Sequence, residues 1–140
     1  MKLAYVDANV LLRFLTGDDT EQSTSSAVLL AQAASGRLQL ILTETTLAEV
    51  VWVLQGRYEH SRAQIADELR GLIVSDGIEG LDIEVCVAAL DIYGRKSVDF
   101  ADALLAARAL VRGPRTIYSF DRDFDRLTEI QRLVPGQSLP

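Results

Sequence analysis

The sequence predicts an α/β fold, a three-layer α/β/α sandwich built on a mainly parallel sheet, and three observations carry that expectation. Short apolar runs of strand type alternate with longer runs of helical period, the order expected of βαβ units. No two strand candidates are joined by a hairpin signal, so successive strands must cross over rather than fold back. The first and third strand candidates both end on an acid, Asp7 and Asp121. Ligands of open α/β sheets bind at the carboxyl ends of the strands, so those two positions matter for function.

Taken in order, Leu3 to Val6 reads as a buried strand that ends at Asp7. Val10 to Leu15 continues as a short apolar helix that Gly17 can terminate, and Asp18 to Thr20 form a turn able to cap the next helix. That helix spans Glu21 to Ser35, with Ala27, Leu30, Ala31 and Ala34 on one face and Gly36 at its end. Leu38 to Leu42 is the second buried strand. Thr43 to Gln55 follows as a helix with Leu47, Val50, Val51 and Leu54 at helical spacing. Trp52 and Val53 fall off that stripe, which marks the helix as deeply buried or part of an interface.

Ser61 to Val74 is the clearest amphipathic helix, and Gly77 and Gly80 break the chain after it. Asp82 to Tyr93 forms another helix, and Gly94 to Val98 a loop. Asp99 to Val111 is alanine-rich, suited to close packing on a sheet, and Gly113 with Pro114 stops it. Thr116 to Phe120 is β-branched and aromatic, a buried strand ending at Asp121. A helical turn from Arg122 to Leu127, a last short strand near Ile130 to Val134 and a polar tail complete the chain.

The 140 residues suit one domain, residues 1–140, with a real core. An apolar share of 49% against 24% charged residues excludes disorder. Apolar runs are too short for a membrane span and the N-terminus lacks a secretory pattern, so a cytoplasmic protein is expected. One cysteine, Cys86, and one histidine, His60, leave no zinc site of the usual kind.

The net charge of −6 is unevenly distributed. Eight acids and two bases lie between Glu59 and Asp91, so that window carries the whole imbalance, and a basic partner segment is one hypothesis for it. The remainder holds twelve acids and twelve bases, and six of those acids are the site candidates Asp7, Glu49, Asp99, Asp102, Asp121 and Asp123. Outside them the surface is net basic, with Arg108, Arg112, Arg115, Arg122, Arg126 and Arg132 as candidate phosphate contacts.

Each acid has a structural explanation. Asp7 and Asp121 could cap the segments they precede, Glu49 stands three residues after Thr46 as in a capping box, and Asp99 could cap the alanine-rich helix with Asp102 in its first turn. Capping does not explain the coincidence that these acids fall where a parallel sheet would bring them to one edge. Carboxylates held together repel unless they are protonated or share cations, and an oxygen-only donor set favours Mg²⁺ or Mn²⁺.

The stretches VDANVLLRFL, TLAEVVWVL, DFADALLAARA and YSFDRDF, in this order and at these distances, closely resemble the PIN-domain ribonucleases, in particular the VapC-like toxins of bacterial and archaeal toxin-antitoxin pairs. The resemblance spans nearly the whole chain. It implies a PIN-like fold and a Mg²⁺- or Mn²⁺-dependent endoribonuclease, usually a homodimer, inhibited by a small antitoxin. Carried over, the catalytic and metal-binding acids are Asp7, Glu49, Asp102 and Asp121, with Asn9, Asp99, Ser119 and Asp123 auxiliary. Many relatives have threonine where this chain has Ser119, and the hydroxyl is kept.

Two other classes are open. A phosphatase of the haloacid dehalogenase-like type would place a second aspartate two residues after the first, where this chain has Asn9, and a receiver domain would need a late lysine, whereas the lysines here are Lys2 and Lys96. A non-catalytic RNA- or partner-binding module of the same fold is the third reading.

Overall fold

A computed structural model describes residues 2–136 of the chain, so the end of the polar tail lies outside the described residues. The chain divides into two compact units, one up to Ile83 and one from Glu84. Among the described residues all strand pairing is parallel and there are six α-helices, as the α/β expectation requires.

The first unit runs β1 (Lys2–Tyr5), α1 (Ala8–Thr16), α2 (Thr20–Ala34), β2 (Leu38–Ile41), α3 (Glu44–Gly56), α4 (Arg62–Ile73) and β3 (Ile78–Glu79). Its sheet has the order β1-β2-β3, with Lys2 opposite Leu38 and Leu40 opposite Ile78. Side chains at the helix starts satisfy otherwise unpaired N–H groups: Asp7 accepts from Val10 N, Asp19 from Gln22 N, Thr43 from Thr46 N and Ser61 from Gln64 N. Gly17, at φ 66°, ends α1 with its N–H on the Arg13 carbonyl, the left-handed cap that its sequence position suggested. Leu11, Leu47, Val50, Leu54, Ile65 and Leu69 are fully buried.

Two expectations change here. β1 is exposed along its length, Leu3 at 60% and Tyr5 at 75%, and its one strand partner among the described residues is β2. β3 is a two-residue strand where the sequence signalled only a break. The flanking Gly77 and Gly80 permit it, with φ of 86° and 97°. A Cβ on Gly77 would lie 2.4 Å from the Ala33 carbonyl oxygen, so glycine lets the backbone approach closely enough for Leu40 N to donate to Gly77 O at 2.7 Å.

The second unit contains α5 (Ile83–Arg95, from Glu84), α6 (Phe100–Arg112), β4 (Thr116–Tyr118), a 3₁₀ turn (Arg122–Arg126) and β5 (Gln131–Leu133). β4 pairs with β5, Thr116 opposite Gln131. Ala106 and Ala109 of α6 join Ile117, Phe124, Leu127 and Ile130 in one core cluster, small helix residues facing larger strand and turn residues. Tyr93 and Phe100 meet edge to face at 5.8 Å. Cys86 is a buried thiol. No helix of the described residues is long and apolar enough to cross a membrane.

Candidate active site

In the first unit Asp7 stands between β1 and α1, exposed, with Oδ1 accepting the Val10 N–H at 3.2 Å. Its cap is real and uses one carboxylate oxygen. Asn9 follows in the first turn of α1 and is also exposed. Glu49 belongs to the second turn of α3, whose cap is Thr43, so the capping-box reading from Thr46 does not hold and Glu49 is an exposed carboxylate with no capping duty. Asp7, Asn9 and Arg13 line one recess, and Asn9, Arg13 and Glu49 line a second.

Arg13 is committed to its own unit. It donates to both oxygens of Asp18 at 2.9 and 3.0 Å and to Gln22 Oε1 at 2.8 Å. Tyr58 and Thr16 hydroxyls also donate to Asp18. These bonds, that from Tyr58 first, hold the Asp18 carboxyl down at about 2 from an ordinary 3.8.

In the second unit Asp99 and Asp102 stand one turn apart at the start of α6, while Asp121 and Asp123 follow β4, the strand on which α6 packs. Asp99 makes no side-chain capping bond, so the cap explanation fails for it too. Asp121 does cap, accepting from Asp123 N at 2.8 Å, and its own N–H donates to Ser119 Oγ at 2.9 Å. Asp102 is half-buried, and its carboxyl is raised from its usual value by desolvation first, then by the charges of Asp121, Asp99 and Asp123. Four carboxylates within electrostatic reach, and one of them reluctant to ionise, suit a hard divalent cation held by oxygen. Among the described residues, no three His, Cys, Asp or Glu side chains are already gathered into a coordination shell.

The arginines divide differently from the sequence reading. Arg132 grips Asp125 at 2.9 and 3.1 Å and donates to the Ser119 carbonyl, so it braces the segment before Asp121. Arg126 pairs with Asp123 at 3.2 Å, Arg115 with Glu129 at 3.1 Å and Arg112 with Glu84 at 3.8 Å. Arg122 is exposed and makes no ion pair among the described residues, which leaves its charge available to a phosphate. His60 faces Glu68, Nδ1 to Oε2 3.5 Å, and Tyr58.

Sequence reasoning set Trp52 off the buried stripe without assigning it to the site and did not single out Arg57 or Tyr58; all three share the second recess with Glu49. The signal was there in the spacing of Glu49, Trp52 and Gly56, three and four residues apart on one helical face.

Residues 4–130 match the PIN domain family. Over 128 residues the chain is 27% identical to a VapC ribonuclease of Aquifex aeolicus, an alignment covering 91% of this chain and 92% of that protein.

Proposed function

The chain belongs to the PIN-domain family, and from that premise we propose that it is a divalent-metal-dependent endoribonuclease, the toxin of a toxin-antitoxin pair, acting in the cytoplasm. The observation that carries the reading is that Asp102, in the first turn of α6, feels the charges of Asp121, Asp99 and Asp123 beside the contact of α6 with β4, while Asp99 makes no capping bond. The family match over residues 4–130 supports the reading of the chain as a nuclease. The similar protein's name, VapC ribonuclease, supports RNA as the substrate.

As the resemblance implies, Asp7, Asp102 and Asp121 would hold Mg²⁺ or Mn²⁺, and Glu49 would serve a second ion or position the attacking water. The cation would acidify water and offset charge on the phosphate. Asp7 and Asp121 each keep one oxygen on a backbone N–H, which fixes the carboxylate and leaves the other oxygen for a ligand. Ser119 and Arg132 hold the backbone leading into Asp121. Arg122 supplies a cation for the phosphodiester. Hydrolysis joins the water oxygen to phosphorus and breaks the P–O3′ bond, with a proton passing to O3′, so the products carry 5′-phosphate and 3′-hydroxyl ends.

A homodimer and a cognate antitoxin complete the proposal. A groove of about 430 Å³ in the first unit, apolar along Phe14, Leu30 and Leu72 and acidic at Glu68 and Asp76, suits an amphipathic basic antitoxin segment. The deciding experiment incubates the protein with structured RNA, with and without Mg²⁺ or Mn²⁺, beside Asp7→Ala and Asp102→Asn. Metal-dependent cleavage lost in both variants supports the nuclease. Cleavage that survives them, or persists in chelator, sinks the assignment.

A further inference from the structure

Trp52 is the chain's sole tryptophan and is 77% exposed, on a helix whose Leu47, Val50, Val51 and Leu54 are buried. It lines a recess of about 310 Å³ together with Asn9, Arg13, Glu49, Arg57 and Tyr58. That volume is at the lower end of the about 300–1,000 Å³ usual for small-ligand pockets, the scale of a nucleotide rather than of a peptide.

Glu49, Trp52 and Gly56 follow one face of α3 in successive turns. Gly56 has no left-handed φ to justify it, and a Cβ built on it meets nothing within 4 Å, so neither backbone conformation nor packing demands glycine there. Its effect is to keep the space one turn beyond Trp52 open. Arg57, the next residue, is exposed, lies over the Tyr58 ring at 5.7 Å and makes no ion pair among the described residues. Arg13 is occupied by Asp18 and Gln22, which leaves Arg57 as the cation this recess offers to an anion.

An open aromatic face with a guanidinium beside it is the chemistry that holds unpaired nucleotides: the ring stacks a base and the cation takes the adjoining phosphate. We propose that this recess is the subsite for one unpaired nucleobase of the RNA, stacked on the Trp52 indole with its flanking phosphate on Arg57. The inference rests on the nuclease reading, since Asn9 and Glu49, assigned to the chemistry, line the same recess. The Glu49 carboxylate repels phosphate from its own end, so the strand enters with the base against Trp52 and the phosphate on the Arg57 side. Duplex RNA, with its bases stacked internally, cannot use the subsite.

Because Trp52 is alone, its fluorescence reports the recess directly. The full chain, in chelator to prevent cleavage, is titrated with a single-stranded octaribonucleotide, with the same length of duplex, and with 5′-AMP. Saturable quenching by the single strand and by AMP, absent with duplex, is expected. Gly56→Leu should fill the space and abolish the quenching while circular dichroism stays native, and Trp52→Ala should weaken single-strand binding on the order of tenfold, read by anisotropy. Three results would overturn the subsite: no quenching by single strands, unchanged quenching in Gly56→Leu, or an emission change that follows protein concentration alone, which would place a second copy on Trp52. Cleavage without quenching overturns the subsite and leaves the nuclease; quenching without metal-dependent cleavage under any condition overturns the nuclease and leaves a single-strand-binding site.

Discussion

Asp102 is half-buried and faces three other carboxylates, an arrangement that costs stability at neutral pH until a cation offsets it. Asp102→Asn should therefore melt higher than the wild type in chelator at pH 7, by about 2 °C or more, while losing cleavage. Adding Mg²⁺ should raise the melting temperature of the wild type by more than that of the variant; equal responses would separate Asp102 from the ion. Asp18 shows the opposite case. Its carboxyl is depressed from 3.8 to about 2, chiefly by Tyr58, so its contribution is present above pH 3.8 and is lost as pH falls through about 2. Melts between pH 5 and pH 2 should show a shallower acid limb in Asp18→Asn than in the wild type. Parallel limbs would mean that Asp18 ionises alike in folded and unfolded chains.

At the scale of elements, two glycines in the same unit have opposite reasons to be there. Gly77 combines φ 86° with backbone at 2.4 Å from any Cβ, and it lets β3 pair with β2. Gly77→Ala should cost about 2 kcal/mol or more in a denaturant titration, because a strained backbone and a clash with backbone add. Gly56→Ala should instead stabilise α3, by up to about 1 kcal/mol, since alanine is the better helix former and finds open space. A neutral Gly77→Ala would show that β3 is dispensable. Two of the structural explanations fell for different reasons: α3 starts at Glu44 with Thr43 as its cap, so the element boundary leaves Glu49 no capping box, whereas Asp99 does stand at the N-cap of α6 but makes no side-chain capping bond.

For the whole molecule the net charge of −6 is a poor guide to the proposed RNA contacts. Arg112, Arg115, Arg126 and Arg132 are engaged in ion pairs, so fewer cations face a phosphate backbone than the sequence count suggests. Arg122→Ala should weaken single-stranded RNA binding and lower the slope of log affinity against log salt by roughly 0.7, whereas Arg115→Ala should leave the slope unchanged. Equal slopes for all three proteins would remove Arg122 from the interface. The alternation of strand and helix, the parallel pairing, and the placing of Asp7 and Asp121 after strands were legible in the sequence because each follows from local periodicity and local turn chemistry. The four motifs, taken together in order, were equally legible, and residues 4–130 match the family they resemble. Tertiary structure alone decided that β1 lies exposed, that Gly77 admits a third strand, that Arg132 braces Ser119 instead of facing solvent, and that Trp52 stands open beside Glu49. Each of these depends on which distant segment comes to lie alongside, and pairing, ion-pair choice and exposure are set by those neighbours rather than by the residue or its periodicity.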